Sequence, residues 1–138
     1  MTARSDDLAV TGAIATTSGV NPHSGKRVVS SANVGHVLAE MATESQYEAS
    51  GDWAYTVGLS GKSGVGDGIM CVALGKFAIA AVSPQLDPYE NSVRARAAIT
   101  EIAKGLKLNL YLGSRHLHDA QPHFVDSSHE PVSEHAST

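Results

Sequence analysis

The run from Tyr55 to Gly68, reading Tyr-Thr-Val-Gly-Leu-Ser-Gly-Lys-Ser-Gly-Val-Gly-Asp-Gly, constrains this chain more than any other stretch. It sets a Lys-Ser-Gly triplet between two hydrophobic stretches and follows it with alternating glycines. Two structures use such a run: a phosphate-cradling loop, or a strand edge that lines an acyl-transfer site. A loop of the Walker A kind needs Gly, four residues, then Gly-Lys-Ser/Thr, with a strand before it and a helix behind it. Counting back from Gly61-Lys62-Ser63 puts Thr56 where the first glycine belongs. Gly64, Gly66 and Gly68 follow the triplet, and each glycine weakens a helix by about 1 kcal/mol. The next residues, Ile69 to Val72, read as strand. The required helix is missing, so the strand-edge reading is preferred.

Size and composition narrow the choice further. A chain of 138 residues is one domain or part of one. Aromatics make up only 5%, so the core must come from Ala, Val, Leu and Ile. The net charge is −4, and no basic cluster exceeds Gly25-Lys26-Arg27, which argues against a nucleic-acid partner. The apolar runs fall short of the roughly 20 residues that span a membrane, so no membrane association is expected. Met1 to Asp7 has no hydrophobic region of the signal-peptide kind. Cys71 is the single cysteine and sits in an apolar strand. It cannot form a disulfide within the chain, which fits a reduced, cytoplasmic setting. A buried thiol of this kind reads as a packing group rather than a nucleophile.

Along the chain, Ser5-Asp6-Asp7 signals a helix start, with Leu8, Ala9, Ile14 and Ala15 spaced for an apolar face and Ser18-Gly19 as the stop. Asn21 to Gly25 is a turn-rich connection. Ser30-Ser31 can cap a second helix that carries Val34, Val37, Leu38 and Met41 on one face. Tyr47 to Val57 is ambiguous, although Trp53, Ala54 and Val57 would share a helical face. Ile69–Leu74 and Phe77–Val82 form a hairpin, with Gly75-Lys76 as a two-residue turn. Asp87 to Ser92 leads into a last helix with Val93, Ala97, Ile99, Ile102 and Ala103 inside. The hairpin strands are apolar on both faces, which indicates burial within a larger sheet. Other strands of that sheet are then missing or supplied by another chain.

Residues 113–138 change character: Ser, His, Asp, Glu and Pro dominate, and a disordered tail is expected. Five of the seven histidines fall there, namely His116, His118, His123, His129 and His135. A metal site needs converging ligands in fixed geometry, so these read as solvated side chains, with no metal and no cofactor expected.

Six segments in order resemble the serine-dependent glutaminase family. They are Asp7-Leu8-Ala9-Val10; Gly19-Val20-Asn21-Pro22 with Ser24 to Val28; His36 to Thr43; Tyr47 with Ser50-Gly51; Val57-Gly58-Leu59 with Lys62 to Val65; and Ser83 to Asp87 with Asn91 to Arg94. The resemblance covers about residues 7–111 and only the C-terminal portion of that family's catalytic domain. It implies an α+β, β-lactamase/transpeptidase-like fold, with helices packed on an antiparallel sheet, here the hairpin plus the C-terminal helix. Residues 1–112 would be that domain portion.

The resemblance also implies hydrolysis of L-glutamine to L-glutamate and ammonia, through a serine acyl-enzyme whose nucleophile lies in a Ser-x-x-Lys motif. No serine in these 138 residues has a lysine three positions later. The catalytic pair is therefore absent, and the chain is expected to be a truncated portion, inactive alone. The alternative is a non-catalytic half-domain that serves oligomerisation or interaction. A homo-oligomer, or association with a complete glutaminase, is expected. Two site positions carry over: Tyr47 matches the tyrosine of the glutamine pocket, and Val65 matches the residue whose backbone N–H points into the site. Lys62-Ser63-Gly64 matches the supporting strand, where Gly64 lets a substrate lie close to the backbone. The family's pattern is broken at Glu44-Ser45-Gln46-Tyr47-Glu48, where Cys-Gly-Met-Tyr-Asp is usual. It is broken again at Ser60-Gly61, where Pro-Ala is usual, and at Asp67 and Glu90, which replace glycines. If those glycines need positive φ, a side chain there costs of order 1 kcal/mol.

Overall fold

A computed structural model describes residues 4–112; the tail 113–138 and its five histidines lie outside the described residues. Helix α1 spans Ser5–Thr16, and its first turn is held by the Arg4 N–H donating to Asp7 Oδ2 at 3.2 Å. Asp6 and Asp7 sit at the positive end of its dipole. The helix ends where Ser18 and Gly19 both take positive φ. Helix α2 spans Ser31–Thr43 with Ser30 at the N-cap, although the Ser30 hydroxyl makes no capping bond. A 3₁₀ turn, Tyr47–Ala49, runs into the short helix α3, Ser50–Thr56. Trp53 and Val57 of this segment are buried, as their shared face requires.

Three strands follow: β1 (Ser60–Gly64), β2 (Gly68–Ala73) and β3 (Phe77–Val82), antiparallel in the order β1-β2-β3. Thus the sheet contains a third strand besides the hairpin. The loop between β2 and β3 has three residues, not two: Ala73 pairs with Phe77, and Lys76 N–H closes the turn on Ala73 O. Gly75 takes φ +69 inside that turn, which is why the turn needs a glycine there. The last helix, α4, spans Val93–Gly105; Ser92 caps it by accepting from Ala95 N–H, while its own hydroxyl donates to Ser83 O. Its buried stripe is Ala95, Ile99 and Ala103, spaced i, i+4, i+8. Ile99 and Ala103 are inside as expected, whereas Val93, Ala97 and Ile102, also expected inside, are exposed, because they stand off that stripe.

Strand alternation sorts the sheet into two faces. Lys62, Met70 and Ala80 lie in register on one face; Gly61, Cys71 and Ile79 lie on the other. Helix α1 lies against the first face so closely that a Cβ on Gly12 would come within 2.7 Å of Ala78 Cβ. On the second face the core joins Trp53, Val57 and Leu59 to Ile69, Cys71 and Ala73, with Ala95, Ile99, Ala103 and Leu108 closing over it. Helices therefore cover both faces, which explains strands that are apolar on both sides.

Asp67 and Glu90 sit at φ +65 and +64, so both glycine replacements do fall in the left-handed region. Each costs about 1 kcal/mol of backbone strain.

Cys71 is fully buried, and burial pushes its thiol up to about 12. The thiolate is the reactive form, so Cys71 should not react with an aromatic disulfide reagent at pH 8 until urea unfolds the chain. The direction in alkali follows. An unfolded thiol ionises near its ordinary value of about 9. The stabilisation from keeping Cys71 neutral is complete below that pH and is lost as pH climbs toward the folded value. Rapid reaction of the native chain would place the thiol outside the core.

Candidate functional site

β1 is an edge strand, and its outer edge is where the sequence-derived residues meet. Ser63 turns its backbone away from β2: its N–H donates to Ser45 O at 2.8 Å. Its carbonyl is met by two side chains. Lys62 Nζ donates to it at 2.6 Å, and Tyr47 Oη makes a longer contact at 3.4 Å. Lys62 Nζ also lies 4.1 Å from the centroid of the Tyr47 ring, within cation–π range. Tyr47, Lys62 and the Ser63 carbonyl thus form one cluster, built from the end of α2's exit turn and the edge of the sheet.

The other two residues stand beside it. Gly64 shares the face of Lys62, and a Cβ built on it would meet nothing within 4 Å. That leaves open space over the strand. Val65 lies just past β1 with its side chain 62% exposed, on the same strand parity as Ser63. The Ser63 side chain points the opposite way from Lys62 and is buried; its hydroxyl finds no hydrogen-bond partner among the described residues. It is not paired with a base and does not qualify as a nucleophile. The Gly-Lys-Ser triplet lies inside a strand followed by a turn and another strand, so the helix that a phosphate loop needs behind it does not follow.

What the cluster offers chemically is an ammonium and a phenol aimed at one strand edge, beside an unobstructed glycine. Such groups can hold a carboxylate or pass a proton. A cavity of about 150 Å³ opens elsewhere, between α1, α2 and the first sheet face, lined by Gly12, Ile14, Val34, Met41, Met70 and Val72 among others. Its lining is apolar, and none of Tyr47, Lys62, Ser63, Gly64 or Val65 borders it. A zwitterionic amino acid would lose its hydration there with no compensating bonds. Among the described residues, no group of three or more His, Cys, Asp or Glu side chains is arranged to hold a metal ion. None of the described helices is long and apolar enough to cross a membrane.

Sequence reading missed the buried polar layer beneath Tyr47. Ser45, Gln46 and Asn91 are all fully buried there. Asn91 Nδ2 donates to Gln46 O at 3.1 Å, across 45 positions of sequence. The only signal was the loop that presents it: Asp87 Oδ1 accepts from both Tyr89 N–H and Asn91 N–H at 2.9 Å, an Asx turn readable from Asp87 onward. Neither amide atom of the Gln46 side chain has a partner among the described residues. Gln46→Met removes two unsatisfied buried groups while keeping the side chain's shape. It should raise stability by about 1–3 kcal/mol, read as a higher urea midpoint at unchanged slope. An unchanged or lower midpoint would mean that the amide is satisfied.

The family model described as Glutaminase matches residues 1–111. A glutaminase of Brucella canis is 62% identical over 105 residues, covering 76% of this chain and 33% of that protein. One of Mycobacterium ulcerans is 59% identical over the same length. Among solved structures, a probable glutaminase, YbaS, superposes with a TM-score of 0.77 at 49% identity, covering 80% of this chain and 36% of that one. The Bacillus subtilis glutaminase YbgJ, solved as its covalent complex with 5-oxo-L-norleucine, gives a TM-score of 0.74 at 28% identity, with 79% and 40% covered. The chain spans about a third of the length of the curated relatives it matches.

Proposed function

Because the chain belongs to the glutaminase family, with its β-lactamase-like α+β fold, we propose that it carries one wall of a site that hydrolyses L-glutamine to L-glutamate and ammonia. The observation that carries this reading is the meeting of Lys62 Nζ and Tyr47 Oη on the Ser63 carbonyl beside the open face of Gly64. Tyr47 takes the place of the glutamine-pocket phenol, and the backbone of Val65 that of the inward N–H. In the reaction a serine oxygen attacks the side-chain amide carbon, ammonia leaves, and water releases glutamate from the ester. The covalent 5-oxo-L-norleucine complex of the Bacillus relative supports a nucleophilic route of this kind.

No Ser-x-x-Lys pair exists in these 138 residues. The nucleophile and its lysine are therefore assigned to the family segment that the match leaves uncovered. The 138-residue chain by itself should release no ammonia from L-glutamine and should not be labelled by 6-diazo-5-oxo-L-norleucine. Mixed with a polypeptide that spans the uncovered two-thirds of a relative such as the Brucella canis protein, it should gain both activities. Tyr47→Phe should then lower turnover by about 100-fold, the lower end of general acid–base contributions. Turnover by the chain alone would refute the absence of a nucleophile.

A second reading rests on the same coverage and on β3, whose outer edge has no strand partner among the described residues. The chain is then a non-catalytic half-domain that binds a second copy or a complete glutaminase. Co-elution with a complete relative, without any gain in turnover after mixing, would favour it. A lone buried thiol suits the cytoplasm for either role.

A further inference from the structure

Tyr47 is held in a conformation that tyrosine rarely adopts. Its φ is +53, in the left-handed region where a Cβ crowds the following carbonyl. Such a residue stays there only when its surroundings fix it from several sides, and the surroundings here do so. Asn91 Nδ2 holds the carbonyl just before Tyr47, that of Gln46, at 3.1 Å. Ser50 Oγ donates to the Tyr47 carbonyl at 2.7 Å and accepts from Gln46 N–H at 3.0 Å. Ser63 N–H fixes the Ser45 carbonyl one residue further back.

We propose that Asn91 is a positioning residue for Tyr47: its buried amide, by gripping the Gln46 carbonyl, keeps the Tyr47 backbone left-handed so that the phenol reaches the β1 edge. This inference rests on the reading of Tyr47 as a residue of the glutamine pocket. Asn91 suits the task because it is itself immobile. It is fully buried, and its backbone is tied to Asp87 in both directions, with Asn91 N–H donating to Asp87 Oδ1 and Asp87 N–H donating to Asn91 O. The side-chain oxygen, Oδ1, finds no partner among the described residues. The donor half of the amide makes the contacts, to Gln46 O and more distantly, at 3.4 Å, to Tyr89 O. The grip acts on the main chain of Gln46, not on its side chain, so the side chain of Gln46 is dispensable to it.

The Lys62 ammonium over the Tyr47 ring supplies a readout independent of turnover. Protons above an aromatic ring are shifted upfield by its ring current, so the Lys62 ε-methylene signal reports where the Tyr47 ring stands. In the isotope-labelled full chain that signal should lie upfield of the other lysines. Asn91→Asp keeps the shape but replaces the donor with an oxygen facing a carbonyl. It should return the Lys62 signal to the ordinary lysine position, while Gln46→Met leaves it shifted. Should Asn91→Asp fail to fold, Ser50→Ala removes the other arm of the clamp and should reduce the same shift. A folded Asn91→Asp chain with an unmoved Lys62 signal overturns the proposal, as does an unmoved signal in Ser50→Ala where the first variant does not fold. Loss of the shift in these variants, together with full turnover of Tyr47→Phe in the mixed enzyme, would uphold the clamp and refute the glutamine-pocket reading alone.

Discussion

Trp53→Ala should abolish the cooperative fold of this chain. The indole is fully buried at the centre of the core that joins α3, β2 and α4. Removing an aromatic side chain from such a place costs about 3–5 kcal/mol. The indole Nε1–H also donates to Leu59 O at 3.1 Å, a bond buried just before β1. Its loss leaves an orphaned carbonyl worth about 1–3 kcal/mol more. The sum rivals the whole stability of an ordinary domain, about 5–15 kcal/mol. Trp53→Phe separates the two contributions, since it keeps most of the apolar volume and loses only the donor. It should leave a folded chain with a lower midpoint. Urea melts followed by far-ultraviolet circular dichroism are the measurement, because the chain has one tryptophan and fluorescence would vanish with it. A Trp53→Ala chain that melts within about 1 kcal/mol of the parent, a typical single-mutation effect, would mean that the core is not packed on the indole.

The second large effect is at a residue with no side chain. Gly19 ends α1 at φ +90, and a Cβ there would stand 2.0 Å from the Val29 carbonyl oxygen. That oxygen is backbone and cannot rotate away. The Gly19 carbonyl also receives the N–H groups of Val28 and Val29 at 2.8 and 3.1 Å. Any shift that relieves the clash therefore breaks the clasp between α1's exit and the approach to α2. Backbone strain of about 1–3 kcal/mol and two weakened hydrogen bonds of about 1 kcal/mol each add to a loss of about 3–5 kcal/mol. Gly35→Ala is the matched control: Gly35 lies in α2, with open space around an added Cβ. It should gain up to about 1 kcal/mol from helix propensity. Equal midpoints for the two alanine variants would refute this account of Gly19.

The elements legible in the sequence were those whose residues specify them locally. The acidic start of α1 and the apolar hairpin of β2 and β3 stand where local signals put them, and of the face expected on α2 Val34 and Met41 are buried while Val37 is exposed. β1 was not legible in that way. Ser-Gly-Lys-Ser-Gly has two glycines and no branched or aromatic residue, and it is a strand because β2 pairs with it from Gly68 to Val72. It was marked by the failure of the phosphate-loop pattern and by its likeness to a family motif, not by periodicity. Tyr47 was found by the same likeness, but its left-handed backbone was not, since tyrosine gives no local hint of positive φ. The grip of Asn91 on Gln46 joins positions 45 apart, and no pattern in one sequence reveals such a contact. In α4 Ile99 and Ala103 were placed inside as the structure has them, but Val93, Ala97 and Ile102 were not: small Ala95 completes the buried stripe and those three are exposed. Close approach of a helix to a sheet selects for size before hydrophobicity.

The two margins of the sheet are not equivalent. The outer side of β1 is occupied by Ser45 and Tyr47, whereas the outer side of β3 has no strand beside it among the described residues. A ribbon blocked on one side can be lengthened only on the other. If two copies met through β3 in antiparallel fashion, each would present its blocked β1 margin outward, and growth would stop at two. Association through β3 would thereby be terminated by β1, giving a finite six-stranded body (three strands from each copy) instead of an endless fibre.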